Sequence, residues 1–353
     1  MESEGIGIDF AYRTFRWDSE ALQKAHVHCV IVGFSCLDEG KKKALFNENG
    51  EPSYVSNING YLVDGENAFI DSRSKPICDV PEIGIGNKPI DDGNYLFTKE
   101  EMEDFIKIEP LSKDYFMPWY GSREFINRSP RYCLLLKKCP ANVLRKMPHA
   151  MKRVEAVKQF RLSSRSAGTK KLAETPLKFH VENFPESDYI VIPEVSSERR
   201  EYVPMGYLTP ESLCSNLVRV MPNASLYHFG VLESSVHMGW MRAVCGRLKS
   251  DYRYSKDVVY NNFPWPEVTK AQKERIETTA KGILDAREKH PELSFADMYD
   301  ALAMPDDLRA AHIANDKAVK KAFKFSSNLT ESQIVAQLLK LYKEKVESLD
   351  KKK

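Results

Sequence analysis

An apolar run close to the N-terminus, HVHCVIVGF at His26 to Phe34, is the feature that most constrains how this chain can fold. Valine, isoleucine and phenylalanine in one short run are typical of a strand buried in a β-sheet. No strand is predicted before it, so residues 10–34 resemble the end of a larger domain whose remainder lies upstream or on another chain. Because an uncovered strand edge pairs readily, we predict that this run pairs with another strand of the same chain or across a dimer.

The composition favours a soluble globular protein with local, not global, charge. The chain has 353 residues, enough for two or three domains, and is 42% hydrophobic and 29% charged. The net charge is only +2, so a nucleic-acid surface would need local clusters of basic residues. There is no apolar run of roughly 18 residues and no signal-peptide pattern, so we expect a cytoplasmic location and no membrane partner.

The cysteines predict neither a metal site nor a disulfide framework. There are seven of them, they do not form a CxxC pair, and most lie in apolar runs such as HCVIV and YCLLL. We therefore expect small buried hydrophobic side chains and no bound metal.

The chain divides into three parts, at about residues 45 and 266. Residues 1–45 contain an aromatic segment, a short helix at Ser19 to Lys24 and the strand described above. Residues 46–266 alternate short Val-, Ile- and Tyr-rich runs with Gly, Pro, Asn and Asp, which predicts a mixed α/β domain. Residues 267–353 have helical periodicity. The predicted fold class is α+β, with a sheet remnant, a mixed α/β domain and a helical C-terminal region in that order.

Besides the short helix at Ser19 to Lys24, four segments are predicted to be helical. One runs from Pro148 to Leu172 and is loosened at its far end by Ser163, Ser164 and Gly168. The others are a segment capped by Thr269, the segment Asp306 to Phe323, and the segment Thr330 to Leu349, which opens with the capping-box spacing Thr330-x-x-Gln333.

A basic segment between residues 145 and 178 is suited to binding phosphate. It holds ten Lys and Arg residues against two acids, Glu155 and Glu174, and serine, glycine and threonine are interspersed. Cations attract phosphates, whereas hydroxyls and exposed amides give directional contacts. The alternative is a solvated helix face, the commoner fate of a charge run.

The sequence SSERREYVP, residues 196–204, suggests base recognition. Glu198 and Arg200 are two positions apart, so in an extended segment they would project to the same side. An arginine can bind a guanine edge while a carboxylate accepts from the amine of the paired cytosine. The alternative is a surface ion pair that contributes little.

Residues 242–260 interleave basic side chains with tyrosines. Lys249, Arg253 and Lys256 stand close to Tyr252 and Tyr254, a pattern that fits contact with a nucleic-acid backbone. A tyrosine-rich edge of a hydrophobic core fits the pattern as well.

No catalytic constellation is complete. NNFPWP, residues 261–266, superficially resembles the Asn-Pro-Pro-aromatic loop of amino-methyltransferases, but Phe263 stands at the second position. Anchoring of a rigid domain exit by Phe263 and Trp265 is the favoured interpretation. Gly84-Ile85-Gly86 lacks the third glycine of a dinucleotide loop, and His26 and His28 have no third ligand.

Six blocks in the same order carry a family resemblance. They are FAYRTFRWDSEALQKAHVHCVIVGF, NINGYLVD with SRSKPICDVPEIGIGNKPIDDGNYL, PWYGSREFINRSPRYCLLL, FRLSSRSAGTKKLAETP, VSSERREYVPMGYL and YHFGVLESSVHMGWMRAVCGRLKSDYRYSKDVVYNNFPWP. Together, from Gly7 to Phe325, they resemble the MmeI-like DNA adenine methyltransferases, which are bacterial methylases or fused type IIL/IIG restriction-modification enzymes.

The resemblance implies an incomplete enzyme. In that family a methyltransferase domain precedes a target recognition domain and a helical C-terminal region, and this chain resembles only the later parts. Residues 1–45 would be the end of the methyltransferase domain, 46–266 the target recognition domain and 267–353 the C-terminal region. The glycine-rich donor motif and the Asn-Pro-Pro-aromatic loop would both precede Phe10. S-adenosylmethionine is implied for the intact enzyme, and this chain by itself is expected to bind no cofactor and to be inactive.

Residue roles also follow from the resemblance. Phe15 and Trp17 match the last methyltransferase motif, where an aromatic side chain packs against the flipped adenine. Glu198 and Arg200 match the pair that reads bases. The segment that approaches the DNA backbone is matched by Arg161, Ser164, Arg165, Thr169 and Lys170. The implied partners are double-stranded DNA and an upstream methyltransferase domain or subunit.

Two other hypotheses remain open from the sequence. The chain could be a stand-alone specificity subunit that binds DNA and joins a separate methylase chain. It could also be an assembly scaffold whose basic segments face solvent.

Overall fold

The computed structural model describes residues 5–18, 26–36, 40, 42–47 and 49–351. The predicted helix at Ser19 to Lys24 lies outside these residues. The strands of the described part are β1 (Ile6–Asp18), β2 (His26–Cys36), β3 (Lys43–Phe46), β4 (Pro52–Val55), β5 (Gly84–Ile85), β6 (Leu96–Phe97), β7 (Phe116–Tyr120), β8 (Arg131–Leu134), β9 (Tyr189–Pro193), β10 (Val195–Ser196), β11 (Gly206–Leu208), β12 (Leu213–Cys214), β13 (Val218–Pro222), β14 (Gly246–Leu248) and β15 (Asp251–Arg253).

Helices complete the described elements. They are α1 (Lys99–Ile108), α2 (Ser122–Ile126), α3 (Ala141–Leu144), α4 (Pro148–Ser163), α5 (Ala167–Lys171), α6 (Leu226–Leu232), α7 (Ser235–Val244), α8 (Lys270–Glu288), α9 (Phe295–Met298), α10 (Asp306–Ala322) and α11 (Glu331–Asp350). Short 3-10 turns occupy Pro110–Tyr115 and Leu172–Glu174, and a π-helical turn occupies Lys256–Tyr260.

The N-terminal strand is not isolated. β1 precedes β2 and pairs with it antiparallel, from Ile6 opposite Cys36 to Asp18 opposite His26, in a sheet of order β2-β1-β3-β4. The prediction that no strand comes before His26 was therefore wrong, because the polar and aromatic alternation of β1 does not form an apolar run. Pairing within the chain is confirmed. β2 is one of the two edge strands of this sheet, and Phe34 on it is 59% exposed.

Three small sheets form the β part of residues 84–253. Two have four strands, in the orders β12-β7-β8-β6 and β11-β9-β13-β5, and the third has the order β10-β15-β14. Strand β9 is buried along its whole length, which matches its apolar sequence YIVIP. The third sheet joins two segments about 50 residues apart, and it is the sheet that builds the candidate site.

The basic helix ends earlier than predicted. α4 begins at Pro148 but ends at Ser163, because Ser164 adopts an extended backbone with ψ 148°. Ser166 then caps the separate helix α5 by accepting a hydrogen bond from the Thr169 amide. The continuous helix to Leu172 was therefore wrong beyond Ser163, since serine side chains compete for backbone hydrogen bonds at this point.

The C-terminal helices begin where their caps predict. Thr269 and Gln272 form a capping box at the start of α8, and Thr330 and Gln333 form one at the start of α11. α8 packs along both α6 and α10, and Ile276, Ala280 and Ile283 are fully buried in this contact. The predicted α+β class, a mixed α/β part followed by a helical region, is confirmed.

One hydrophobic core crosses residue 266. It contains Trp240 of α7 and Phe263 together with Ile283 of α8 and Leu338 of α11. A second cluster, which includes Phe97, Trp119 and Val157, packs under α4. The C-terminal helices thus share their core with the segment that precedes them, and they can restrain its loops.

Candidate nucleic-acid interface

The segment that carries Glu198 and Arg200 is a turn and not an extended strand. We call residues 197–205, between β10 and β11, the recognition loop. The Arg200 amide donates to the Ser197 carbonyl at 3.2 Å and closes the turn. The prediction that Glu198 and Arg200 lie in an extended segment and project to the same side was therefore wrong.

Arg200 is half-buried. Its Nη1 donates to the Ser196 hydroxyl at 3.4 Å. Burial lowers the pKa of the Arg200 guanidinium, and the negative charges of Asp251 and Asp300 act in the opposite direction. Arg199 beside it is exposed.

Strand pairing brings the second basic segment next to the recognition loop. Val195 lies opposite Arg253, and Ser196 lies opposite Tyr252, so β10 is joined to the hairpin β14–β15. Lys249 is exposed at the tip of this hairpin, with φ 57°. The structure thus brings Glu198 and Arg200 together with Lys249 and Arg253, which lie about 50 residues further along the chain.

The cations of the hairpin differ in how far they are neutralised. The Arg247 guanidinium lies 4.0 Å above the ring of Tyr252 and donates to the Ser250 carbonyl. Arg253 is ion-paired with Glu194 at 2.9 Å. Lys256 is half-buried at the start of the π-helical turn.

The basic segment at the junction of α4 and α5 follows a helix that packs on the second hydrophobic cluster. Arg165 and Lys170 are exposed, whereas Ser164 and Thr169 are half-buried. Val157 of α4 packs in the second hydrophobic cluster, whereas Tyr202 of the recognition loop packs in the first. This junction is therefore built on a different part of the core from the loop and the hairpin.

Arg161 is a correction to the predicted backbone contacts. Its side chain is 0% exposed, and its guanidinium donates to five backbone carbonyls at 2.8 to 3.1 Å, which belong to Pro89, Ile90, Leu172, Thr175 and Lys178. Burial lowers the pKa of this guanidinium, and the charges of Tyr95 and Asp91 oppose the shift. Arg161 is a structural residue that fixes the chain after α5, and it has no donor left for a phosphate.

The two aromatic candidates lie on β1. Phe15 pairs with Cys29 of β2 and is half-buried. The side chain of Trp17 lies outside the described part of the structure.

NNFPWP is an anchor in the core. Asn261 and Asn262 are fully buried and donate to the carbonyls of Arg73 and Asp71, at 2.6 and 2.9 Å. Phe263 is 0% and Trp265 7% exposed, as expected for a rigid domain exit.

The Gly84-Ile85-Gly86 segment is packed against the chain. A Cβ on Gly86 would lie 2.3 Å from the Ser215 carbonyl oxygen, so there is no space beside this glycine for a cofactor. Within the described ranges, no group of three or more His, Cys, Asp or Glu residues is placed to hold a metal ion.

The sequence did not identify the residues that bind the recognition loop and the hairpin through hydrogen bonds and ion pairs. Tyr202 donates to Asp316 of α10 at 2.8 Å, and Glu194 is ion-paired with both Arg253 and Arg219. Arg242, the first residue of the basic, tyrosine-rich segment 242–260, is bidentate to Glu331. Burial acts to lower the pKa of Arg242, but the bonds to Glu331 outweigh it and raise the pKa. No local pattern reveals these pairs, since their members are up to 114 residues apart.

Family models cover almost the whole chain. Residues 64–267 match the target recognition domain of MmeI, residues 268–350 match its C-terminal domain, and residues 1–47 match its DNA-methyltransferase domain. These matches and the fold define a target recognition domain joined to a helical C-terminal domain, as found in DNA methyltransferases of restriction-modification systems.

Individual relatives are similar along nearly the full chain. DNA methyltransferase A of Bacillus subtilis (strain 168) is 42% identical over 343 residues, which are 97% of this chain and 39% of that protein. The structure of the type IIL restriction-modification enzyme MmeI in complex with DNA is 42% identical, with a TM-score of 0.88 over 98% of this chain and 47% of that chain. The chain belongs to the MmeI-like family of type IIL DNA methyltransferases, and it spans less than half the length of these two relatives. No helix among the described residues is long and apolar enough to cross a membrane.

Proposed function

We propose that this chain is the DNA sequence-recognition part of a bacterial S-adenosylmethionine-dependent DNA adenine-N6 methyltransferase. It binds duplex DNA, reads bases, and presents the target adenine to a methyltransferase domain that lies upstream or on a separate subunit. The pairing of β10 with β15 carries the proposal, because it joins the turn of Glu198 and Arg200 to the hairpin of Lys249. Duplex recognition needs both kinds of group, because cations that bind phosphate position the protein on the DNA and the base-reading side chains then contact the base edges.

The proposed roles divide into reading and gripping. Arg200 binds a guanine edge and Glu198 accepts from the amine of the paired cytosine. The backbone contacts come from the hairpin and from the junction of α4 and α5, namely Ser164, Arg165, Thr169, Lys170, Lys249, Arg253 and Lys256. The related enzyme MmeI was solved in complex with DNA, which supports duplex binding, and the residue roles are part of our proposal.

The chemistry belongs to the methyltransferase part. Phe15 and Trp17 are proposed to pack against the flipped adenine, for which an aromatic face is suited. S-adenosylmethionine supplies the methyl group in the intact enzyme, and we assign no residue of this chain to it. The proposed limits at residues 45 and 266 follow the change in sequence character, and the three family-model matches support them.

The alternative is a specificity subunit that partners a separate methylase chain. The exposed edge strand β2, with Val30, Ile31 and Phe34 at its surface, favours a contact with another sheet in either arrangement. Co-purification with a separately encoded methyltransferase would support the two-chain form.

Competition binding to a random duplex pool tests the recognition role. We expect the chain to select a sequence and Arg200→Ala to relax selection at one base pair, whereas Arg199→Ala, at the exposed neighbouring position, is the matched control and keeps the preference. Arg165→Ala and Lys170→Ala should weaken binding equally for all sequences. If these two variants abolish the preference while Arg200→Ala keeps it, the division between reading and gripping is wrong.

A methyl-transfer assay tests where the chemistry lies. With labelled S-adenosylmethionine and the selected duplex, the purified chain should transfer no label. Measured turnover by the chain alone would contradict the proposal that its active site is incomplete.

A further inference from the structure

The geometry points to a positioning role in base recognition for the helices α7, α8 and α10 and for the residue that ends α6. We infer that four buried or half-buried residues, Glu233 directly after α6, Arg242 of α7, Arg287 of α8 and Asp316 of α10, hold residues 201–205 of the recognition loop and thereby set the orientation of Glu198 and Arg200. We call these four residues the helical clamp. This inference rests on the proposed function, since it explains how the proposed base-reading turn is kept in place.

One half of the clamp acts through Tyr202. The Tyr202 hydroxyl donates to Asp316 Oδ2 at 2.8 Å, and the other oxygen of that carboxylate accepts from the Ser235 amide at 2.7 Å. The Tyr202 ring is stacked on His312 of α10, with 4.1 Å between ring centroids. Tyr202 is only 3% exposed, so its position two residues after Arg200 is fixed by both a hydrogen bond and packing.

The other half acts on Met205. Glu233 Oε1 accepts from the Met205 amide at 2.6 Å, and Arg287 Nη1 donates to the Met205 carbonyl at 2.5 Å. Glu233 and Arg287 are themselves ion-paired at 2.9 Å, with their side chains 0% and 3% exposed. A buried ion pair costs desolvation free energy and adds little to stability, but its strict geometry can specify one conformation.

The contacts end on the backbone of the loop. Besides the two bonds to Met205, the Glu201 carbonyl accepts from Arg242 Nη1 at 2.8 Å and the Val203 amide lies 3.4 Å from the sulfur of Met238. Clamp residues also bond one another and Glu331, but these four contacts end on backbone atoms of the recognition loop. Together with the bond of the Tyr202 side chain, they fix the path of residues 201–205.

The turn is therefore held at both ends. β10 pairs with β15 immediately before it, and the helical clamp holds the chain immediately after it. Only residues 197–200 lie between these two anchors. A base-specific hydrogen bond tolerates little displacement of its donor or acceptor. Because the helical clamp fixes the backbone after residue 200, it keeps the side chains of Glu198 and Arg200 aligned with the base pair that they read.

The experiment compares two matched variants of the full chain. Tyr202→Phe removes only the hydroxyl that reaches Asp316. Tyr189→Phe removes an equally buried hydroxyl, which donates to the Ser212 carbonyl at 2.9 Å, from strand β9. Discrimination is measured as the ratio of affinities for the duplex selected by the unmodified chain and for the same duplex with one base pair changed. Amide hydrogen exchange of residues 197–203 is measured in parallel without DNA.

Tyr202→Phe should lower the discrimination ratio about 3- to 10-fold, with affinity for non-specific duplex unchanged, and should speed exchange in the turn. Tyr189→Phe should change neither. An unchanged ratio and unchanged exchange in Tyr202→Phe, or equal effects in both variants, would overturn the clamp while duplex selection by the unmodified chain still stands. If the unmodified chain selects no duplex, the proposed function itself fails and the inference falls with it, whatever the exchange shows.

Discussion

Arg253 Nε lies 2.9 Å from Glu194 Oε1, and Arg219 reaches the other oxygen of the same carboxylate at 3.0 Å. Glu194 is 8% exposed and forms no part of the basic pattern that the sequence displays. Glu194 shares its single negative charge between two guanidinium groups, so it offsets part of the charge that Arg253 would offer to a phosphate, whereas Lys249 at the tip of the same hairpin is exposed.

The first prediction concerns salt dependence of duplex binding. Lys249→Ala should reduce the slope of log affinity against log salt concentration by about 1, the value for one lost phosphate contact. Arg253→Ala should reduce it by clearly less, because its charge is already paired with Glu194. Binding titrations between low and moderate salt measure both slopes, and equal reductions would show that Arg253 leaves Glu194 for the DNA.

The second prediction separates a structural arginine from surface cations. Arg161→Lys should lower the free energy of unfolding by about 3 kcal/mol, because an ammonium group cannot satisfy the five carbonyls that the guanidinium binds. Lys170→Ala, at an exposed position on α5, should change it by less than about 0.5 kcal/mol. Urea denaturation measures both, and a mild effect of Arg161→Lys would refute the anchoring role.

The third prediction tests the packing of α6 on α8. A Cβ on Gly230 would lie 2.7 Å from Ile276 Cγ2 and 3.0 Å from Ala280 Cβ, so Gly230→Ala should destabilise the fold by about 1–3 kcal/mol. Gly282 lies inside α8, and a Cβ there would meet no neighbouring atom of the described residues within 4 Å, so Gly282→Ala should stabilise by about 0.5–1 kcal/mol through helix propensity. Thermal melts of both variants provide the check. A shift of the same sign in both would contradict the close helix contact.

The fourth prediction concerns acid stability. His237 is fully buried with Nε2 3.0 Å from the Tyr254 hydroxyl, and burial lowers the pKa of His237 to about 3. The unfolded chain, with a histidine pKa of about 6.5, binds this proton more readily than the folded chain. The neutral, buried His237 therefore costs no stability above about pH 6.5. As the pH is lowered from 6.5 toward 3, this residue lowers the free energy of unfolding by up to about 1.4 kcal/mol per pH unit.

His237→Phe removes that proton linkage. The free energy of unfolding should fall by about 2 kcal/mol less between pH 7 and pH 5 in the variant than in the unmodified chain. Other titrating groups, such as Glu233, whose pKa burial raises to about 6 against the opposing charge of Arg287, contribute equally to both proteins and cancel in the comparison. Identical losses in the two proteins would mean that the pKa of His237 is not lowered in the folded chain.

Local sequence determined the elements whose causes are local. The capping boxes at Thr269 and Thr330 mark the starts of α8 and α11, since a cap depends only on residues three positions apart. The apolar run of β2 and the helical periodicity after Pro266 likewise indicated the fold class. The sequence predicted a loosened helix beyond Ser163 but not its break at Ser164. Serine side chains compete with the helix for backbone hydrogen bonds, and differences of about a few tenths of a kcal/mol per residue decide the outcome.

The tertiary structure alone decided which basic residues are available. Arg161 and Arg165 look alike in the sequence, yet one is saturated by five carbonyls and the other is exposed. The Glu198 and Arg200 turn meets the Lys249 hairpin only through β10 and β15, and Tyr202 meets Asp316 across 114 residues. Periodicity and capping are encoded by neighbours in sequence, whereas burial and charge pairing depend on segments that become neighbours only when the chain has folded.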